Sequence, residues 1–151
     1  QPGHFAAADF VRKLDVPGEE SAKVVYRLVD AEQYHGQAVL VVGGGDSALE
    51  AAIALAGEPD ATVTLSYRSA AFSRVKQKNR DSLARLQDEG RLEVLMESTV
   101  ESIGEREVRI AAGGATRTLP NDAVIVCAGG LLPTALLREV GIGFETKFGT
   151  R

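Results

Sequence analysis

Sulfur-containing residues and tryptophan are scarce in this chain of 151 residues, which has one cysteine, one methionine and no tryptophan. A single cysteine, Cys127, excludes a disulfide within the chain and argues against a structural zinc site. No apolar run is long enough to span a membrane, and no signal-peptide pattern opens the sequence. We therefore expect a cytoplasmic protein with no membrane partner and no bound metal.

A strong charge of either sign is also missing. The formal net charge is −4, which does not indicate a nucleic-acid-binding protein. Acidic residues are absent from positions 68–80, and that stretch carries five basic residues: Arg68, Arg74, Lys76, Lys78 and Arg80. A basic stretch on an acidic chain predicts an anionic ligand nearby, whereas a solvated loop face is the alternative interpretation.

The overall composition is that of one globular domain with a sizeable core, since 44% of the residues are hydrophobic and 25% are charged. Residues 1–11 lack periodicity and are expected to be an arm or a cloning remnant, so the predicted domain covers 12–151. The chain begins with Gln1, and its only methionine is Met96. We therefore expect it to be a piece of a longer protein.

The most informative pattern is a valine-rich apolar run at 39–42 that ends at three glycines, Gly43, Gly44 and Gly45, before an alanine-rich helical pattern. This is the Gly-x-Gly-x-x-Ala form of the dinucleotide-binding fingerprint, in the strand-turn-helix context that its chemistry requires. Gly43 permits the tight turn, Gly45 lets the backbone approach a pyrophosphate, and Ala48 keeps the helix close to the strand. The helix N-terminus then offers amides to the phosphates. A tight turn without a ligand is the alternative.

Polar side chains follow the glycines at the start of this helix. A carboxylate beside a pyrophosphate would repel it, so Asp46 is interpreted first as a helix cap. Ser47 is a candidate hydroxyl donor to a phosphate. Glu50 is expected in the first helical turn, where the helix dipole alone accounts for an acidic residue.

Hydrophobic periodicity predicts alternating strands and helices followed by several short strands. Strands are expected at 24–26, 38–42, 62–66, 92–96 and 122–127, with helices at 46–57, 78–89 and 133–140 and a polar connection at 27–36. Period-two segments at 99–103, 106–111 and 115–119 predict a β-meander, with Gly113-Gly114 as a hairpin turn. The predicted fold class is α/β: a Rossmann-like three-layer domain with a central parallel sheet, helices and an appended antiparallel β-meander.

The residues after the second main strand bear on which nucleotide binds. In a site for NAD, a carboxylate about twenty residues after the glycines binds the ribose 2′-hydroxyl. The sequence there is Ser66-Tyr67-Arg68, without a carboxylate. Arg68 and Arg74 are suited to bind a 2′-phosphate, which favours NADP(H) over NAD(H). Tyr67 either stacks on the adenine or packs against the neighbouring helix, and Ser66 or Ser69 is a further candidate hydroxyl donor.

The predicted cofactor-binding set is Gly43, Gly44, Gly45, Asp46, Ser47, Ala48, Tyr67, Arg68 and Arg74. Cys127 lies in an apolar strand and is expected to be a small core residue rather than a nucleophile. His4 and His35 stand in polar segments without candidate partners. No catalytic or metal-binding residue is predicted.

Three segments together resemble the NADPH-binding domain of thioredoxin-reductase-like flavoproteins, which are pyridine nucleotide-disulfide oxidoreductases. These segments are 39–52, 67–74 and 122–133, and the resemblance extends over roughly 12–149. The Gly-Gly-Gly-Asp-Ser-Ala-Leu-Glu block is close to the nucleotide loop of that family. The family's His-Arg-Arg-x-x-x-Arg element corresponds to Tyr67, Arg68 and Ser69, with Arg74 one place further along.

Two linker segments extend this resemblance. Val16-Pro17-Gly18-Glu19 is similar to the segment by which the chain of such proteins leaves the FAD domain, and Ala128-Gly129-Gly130 with Pro133 is similar to the returning segment. The second glycine fingerprint and the late Gly-Asp element that bind FAD are absent, as is a Cys-x-x-Cys pair. The resemblance therefore points to relatives that lack the internal disulfide. Ferredoxin-NADP reductases of the thioredoxin-reductase type and bacillithiol-disulfide-reductase-like proteins are such relatives.

This resemblance implies an NADP(H)-binding domain whose parent protein carries FAD in a separate domain of the same chain. The parent would be an FAD-dependent oxidoreductase that delivers hydride from NADPH to the flavin, and it is a candidate homodimer. The chain alone is expected to be inactive. A non-catalytic nucleotide-sensing or interaction module with the same fold is the alternative function, and a Rossmann-like domain without a ligand is a third possibility.

Overall fold

Short runs rich in β-branched residues form the strands of the protein, and alanine- and leucine-containing segments form the helices. The computed structural model describes residues 14–72 and 74–127. In chain order the elements are β1 (Val24–Val25), a 3-10 helix (Ala31–Tyr34), β2 (Ala38–Val42), α1 (Asp46–Ala56), β3 (Thr62–Ser66), α2 (Gln77–Asp88), β4 (Leu92–Leu95), β5 (Ser98–Ile103), β6 (Glu107–Ala112), β7 (Ala115–Pro120) and β8 (Ala123–Val126). The predicted arm at 1–11, the segment from 128 to 133 and the predicted helix at 133–140 lie outside the described residues.

The central layer is a five-stranded sheet in the order β1-β8-β2-β3-β4, in which every neighbouring pair is parallel. Strand β2 pairs with both β3 and β8, so its run of apolar side chains is buried on both faces, as is typical of parallel sheets. Val39 and Val41 pack on one face, whereas Leu40 and Val42 pack on the other. The predicted parallel strands are confirmed.

Both helices cover one face of this sheet. Helix α1 buries its alanine and leucine side chains, including Leu49 and Leu55, against the face that carries Val41 and Ile125. Helix α2 is more polar and contributes a narrow stripe with Leu83 and Leu86, as its spacing predicted. These side chains form the larger of the two hydrophobic clusters.

The β-meander forms the third layer on the opposite face of the sheet. Strands β5, β6 and β7 are antiparallel, and Gly113 and Gly114 make the hairpin turn with φ values of 60° and 82°. Ile110 and Val108 of β6 pack against the meander-facing side chains of the parallel sheet. Strand β7 is the outer edge, exposed throughout except at the half-buried Leu119. The predicted three-layer α/β fold is therefore confirmed.

The structure refines some predicted boundaries. The polar connection at 27–36 contains the 3-10 helix, which begins where Asp30 accepts a hydrogen bond from the Glu32 amide at 3.0 Å. Helix α2 begins at Gln77, and Glu97, with a positive φ of 50°, turns the chain from β4 into β5. Among the described residues, no helix is long and apolar enough to cross a membrane.

The segment before β1 is held by one carboxylate. Glu19 accepts hydrogen bonds from the Leu14 amide at 2.8 Å, the Asp15 amide at 2.6 Å and the Tyr26 hydroxyl at 2.9 Å. Burial would raise the pKa of Glu19, but these hydrogen bonds outweigh burial and lower it. Burial and the neighbouring carboxylate raise the pKa of Tyr26 to about 12, so the hydroxyl remains a donor at neutral pH.

We expect acid to weaken this connection through Glu19. Because the pKa of Glu19 is lower in the folded state, its contribution to stability is complete above its unfolded pKa of about 4.3 and is lost as the pH falls through the folded value. Urea unfolding at about pH 7 and about pH 3 measures this loss. Glu19→Gln should lose less stability between the two pH values than the wild type does, and an equal loss in both proteins would contradict the prediction.

Candidate functional site

The glycine turn lies at the carboxyl end of β2, in the centre of the parallel sheet. Gly43 has a φ of 140°, and its amide donates to the carbonyl of Ser66 at 3.0 Å. A Cβ at this position would lie 3.0 Å from the carbonyl atoms of Cys127 and 3.2 Å from the Cβ of Ala48. The close approach of turn, strand and helix therefore needs both a glycine at 43 and a small residue at 48.

The start of α1 is open to solvent. Gly45 is the N-cap residue in an extended conformation, and it makes no side-chain capping bond. A Cβ at Gly45 would meet no heavy atom within 4 Å. The first backbone amides of a helix have no partner within it, so those of Asp46 and Ser47 are available to an anion, with the positive end of the helix dipole behind them. Ser47 is exposed beside them.

Asp46 is a helix cap, but the helix that it caps is α2 and not the one that it begins. Its carboxylate accepts from the Lys76 amide at 2.9 Å and from Nδ2 of Asn79 at 2.8 Å, so it caps the N-terminus of α2. The bond from Lys76 is the largest cause of the lowered pKa of Asp46. The carboxylate therefore stays ionised at neutral pH while it is bonded to α2.

Asn79 is a residue of this region that sequence reasoning missed. It is 6% exposed, and its Nδ2 also donates to Glu50 at 3.0 Å. Glu50 lies in the second turn of α1, not the expected first turn, and this bond gives it a partner beyond the helix dipole. The signal was available, because Asn79 precedes Leu83 and Leu86 at helical spacing and so lies on the buried stripe of α2.

Tyr67 covers the glycine turn from the side of β3. Its ring stacks on that of Phe72, with centroids 5.4 Å apart and an interplanar angle of 11°. A Cβ at Gly44 would collide with the Tyr67 ring. The backbone of Tyr67 is fixed by bonds to Leu95 and Ser98, each 3.0 Å long. In the structure, Tyr67 therefore packs on Gly44 and Phe72.

The basic loop lies beside the glycine turn because β2 and β3 are neighbours with Val42 opposite Ser66. All five basic residues between 68 and 80 are exposed. Within the part of the chain that the structure describes, neither Arg68 nor Arg74 has a carboxylate within salt-bridge distance. Arg80 donates to the carbonyl of Phe72 at 3.4 Å, which places a third guanidinium at the base of the loop.

Two neighbouring polar groups face away from this surface. Ser66 is 1% exposed, and its Oγ lies 2.6 Å from Oγ of Ser98, so the prediction that Ser66 is a candidate phosphate donor is wrong. Burial raises the pKa of Cys127 to about 11, which keeps the thiol protonated and agrees with a packing role. Within 14–72 and 74–127, no group of three or more acidic, histidine or cysteine side chains could hold a metal ion.

Comparison with known proteins gives consistent matches. The family model described as pyridine nucleotide-disulphide oxidoreductase matches residues 4–149. The chain is 32% identical to the ferredoxin–NADP reductase of Thermus thermophilus over 143 residues, covering 89% of this chain and 42% of that protein. It is 28% identical over 143 residues to the bacilliredoxin reductase of Bacillus subtilis, covering 93% of this chain and 44% of the relative. The chain thus spans less than half the length of these curated relatives.

Solved structures share the same architecture. Bacillithiol disulfide reductase from Bacillus cereus superposes with a TM-score of 0.76 at 28% identity, covering 80% of this chain and 37% of that one. Thioredoxin reductase from Lactococcus lactis superposes with a TM-score of 0.67 at 26% identity, covering 78% of this chain and 41% of that one. Both comparisons agree with the three-layer fold.

Proposed function

Because this chain belongs to the pyridine nucleotide-disulphide oxidoreductase family, we propose that it is the NADP(H)-binding domain of an FAD-dependent oxidoreductase. The proposed domain covers 12–151, and the flavin is held by a separate domain of the parent protein. We also propose a cytoplasmic location and a homodimeric parent. The names of the relatives, which include ferredoxin–NADP reductase, favour NADP(H) as the nucleotide.

One observation carries the proposal: an uncapped helix start and an exposed arginine loop lie side by side at the carboxyl end of the sheet. The open amides after Gly45 suit a pyrophosphate, and Ser47 can donate a hydroxyl to it. Arg68 and Arg74 follow the neighbouring strand, and within the described residues neither forms a salt bridge with a carboxylate. A dinucleotide lies across the carboxyl ends of such strands, with its adenosine half toward the second strand.

The residues of this chain bind and orient the nucleotide, and none of them is assigned a role in making or breaking bonds. The glycine turn and the start of α1 hold the pyrophosphate, while the arginines hold the 2′-phosphate by charge-assisted bonds. Tyr67 packs on Gly44 of the glycine turn and directly precedes Arg68 of the basic loop. When bound, a nicotinamide nucleotide supplies the hydride that a flavin accepts. The acceptor beyond the flavin belongs to the parent protein.

The arginine assignment predicts a selective loss of NADPH affinity. Arg68→Ala and Arg74→Ala should each weaken NADPH binding roughly tenfold and leave NADH binding nearly unchanged, because only NADPH carries the 2′-phosphate. Calorimetry with both nucleotides measures the two affinities. Arg109→Ala, which removes an exposed arginine from the β-meander, is the matched control and should bind like the wild type.

The outcomes of this titration separate the parts of the proposal. Equal NADPH and NADH affinity that neither substitution changes would overturn the 2′-phosphate assignment. If the wild type bound neither NADPH nor NADH, the proposed function would be overturned in favour of a Rossmann-like domain without a ligand. Sequence that binds FAD on either side of this segment in the full gene would support the enzyme over a sensing module.

A further inference from the structure

Asn79 links the two halves of the proposed nucleotide site, although it is remote from the glycines in sequence. We propose that Asn79 is a positioning residue: it holds the carboxylates of Asp46 and Glu50 against α2, and thereby keeps the charge of Asp46 away from the phosphate-binding amides of α1. This inference rests on the proposed function. It adds a residue that acts on nucleotide affinity through Asp46 and not by touching the ligand.

Both N–H groups of the Asn79 side-chain amide have an acceptor in the structure. Nδ2 of Asn79 lies 2.8 Å from Asp46 and 3.0 Å from Glu50, so each of its two hydrogens can serve one carboxylate. The same Asp46 oxygen also accepts from the Lys76 amide at 2.9 Å. The two bonds that Asn79 donates are partly buried, whereas the bond from Lys76 is exposed.

The charges explain why the hydrogen bonds from Asn79 to Asp46 and Glu50 affect a ligand. Asp46 is the first residue of α1, so its carboxylate is attached at the point where the pyrophosphate is expected to bind. An unrestrained carboxylate there would repel the phosphates, because like charges a few ångströms apart interact unfavourably even where solvent is near. Directed at α2, the same charge is stabilised by the positive end of that helix.

The hydrogen bonds around Asp46 also connect the glycine turn with the basic loop. Lys76 is the N-cap residue of α2 and follows Arg74 by two positions, so its amide bond to Asp46 fixes where the loop joins the helix. Asn79 reinforces that connection from the first turn of α2, since its own amide donates to the Lys76 carbonyl at 3.1 Å. The pyrophosphate and 2′-phosphate subsites are therefore held at a set distance by side chains that contact neither.

A double-mutant cycle tests whether Asn79 acts through Asp46. Asn79→Asp removes the amide donor and adds a third carboxylate, and Asn79→Leu removes the donor but retains bulk on the buried stripe of α2. Each should weaken NADPH binding about tenfold in the 151-residue chain. In the Asp46→Asn background Asn79→Leu should weaken binding less than threefold, because the Asp46 charge that it releases is gone. Asn79→Asp should also lose less affinity there than in the wild-type background, although its own added carboxylate remains. Gln77→Ala, which removes an exposed bond in the same helical turn, should bind like the wild type.

Calorimetry measures NADPH affinity, and thermal unfolding verifies that each variant is folded. A smaller loss in the Asp46→Asn background supports the proposal, whether it is seen with Asn79→Asp or, where that variant unfolds, with Asn79→Leu. Equal losses in both backgrounds, or folded Asn79 variants that bind like the wild type, would overturn it while the proposed function stands. A wild type that binds no nucleotide would overturn the proposed function, and this inference with it.

Discussion

Gly45→Val is expected to abolish most nucleotide binding while the fold survives. The backbone at Gly45 is extended, and a side chain there would project into open space without touching the protein. That space is where a pyrophosphate would approach the amides of α1, so a valine side chain would occupy the ligand's position. We expect the affinity for NADPH and NADH to fall at least about a hundredfold.

Two measurements make this prediction specific. Urea unfolding should show a stability loss of less than about 1 kcal/mol, because valine is only a poorer N-cap residue than glycine. Gly45→Ala should give an intermediate affinity, as expected if the loss scales with the bulk added. Nucleotide binding by Gly45→Val at wild-type strength would place the pyrophosphate elsewhere and remove the main support for the proposed site.

Gly43→Ala is expected to reduce stability strongly, in contrast to the change two residues later. The φ of 140° is unfavourable for a residue with a Cβ, and the new methyl group would press on the carbonyl group of Cys127 and on Ala48. Backbone strain and overpacking together should lower the free energy of unfolding by about 2–4 kcal/mol. Urea unfolding measures the change, and nucleotide affinity should fall with it because the turn must shift.

The matched control is Gly113→Ala in the hairpin turn of the β-meander. Gly113 also has a positive φ, of 60°, but nothing lies within 4 Å of the position of its missing Cβ. Its substitution should cost only about 1 kcal/mol, from the backbone alone. Equal costs at the two positions would show that the contact of the glycine turn with Cys127 and Ala48 does not constrain it.

Much of the fold could be predicted because its signals are local. The continuous apolar run at 39–42 marks a strand buried on both faces, and the glycines followed by an alanine-rich run mark the turn and α1. The meander was predictable from its period-two segments and from Gly113-Gly114. Each of these patterns depends on the residues of one element and its turn, so neighbouring residues carry the information.

The errors arose where a polar side chain finds its partner in another element. Asp46 was interpreted as a helix cap, but the sequence could not show that it caps α2, because its partners Lys76 and Asn79 lie 30 and 33 residues away. Ser66 was considered, with Ser69, as a hydroxyl donor to the phosphate, although Ser98, 32 residues later, takes the Ser66 hydroxyl into the interior. A sequence shows that a polar group needs a partner, but the packing of the layers determines which one is near.

The cofactor-binding assignments stay predictions, and the structure changes how they would be tested. Tyr67 was considered as a partner for adenine or for a helix; in the structure it packs on Gly44 and stacks on Phe72, and its contact with adenine stays a prediction. This contact was not predictable, because the strand-end loop places an aromatic ring over a glycine only after β2 and β3 pair in register. Substitutions at Tyr67 would therefore disturb the loop as well as any ligand contact.

The position of the exposed edge strand β7 has a practical consequence. It belongs to the layer on the side of the sheet away from the helices, and five of its six residues are exposed. A single engineered cysteine there would carry a fluorescent label without crowding the glycine turn. The native Cys127, with its raised pKa, would react slowly by comparison. The chain can thus carry a dye at one chosen position, on a strand that contains none of the predicted cofactor-binding residues.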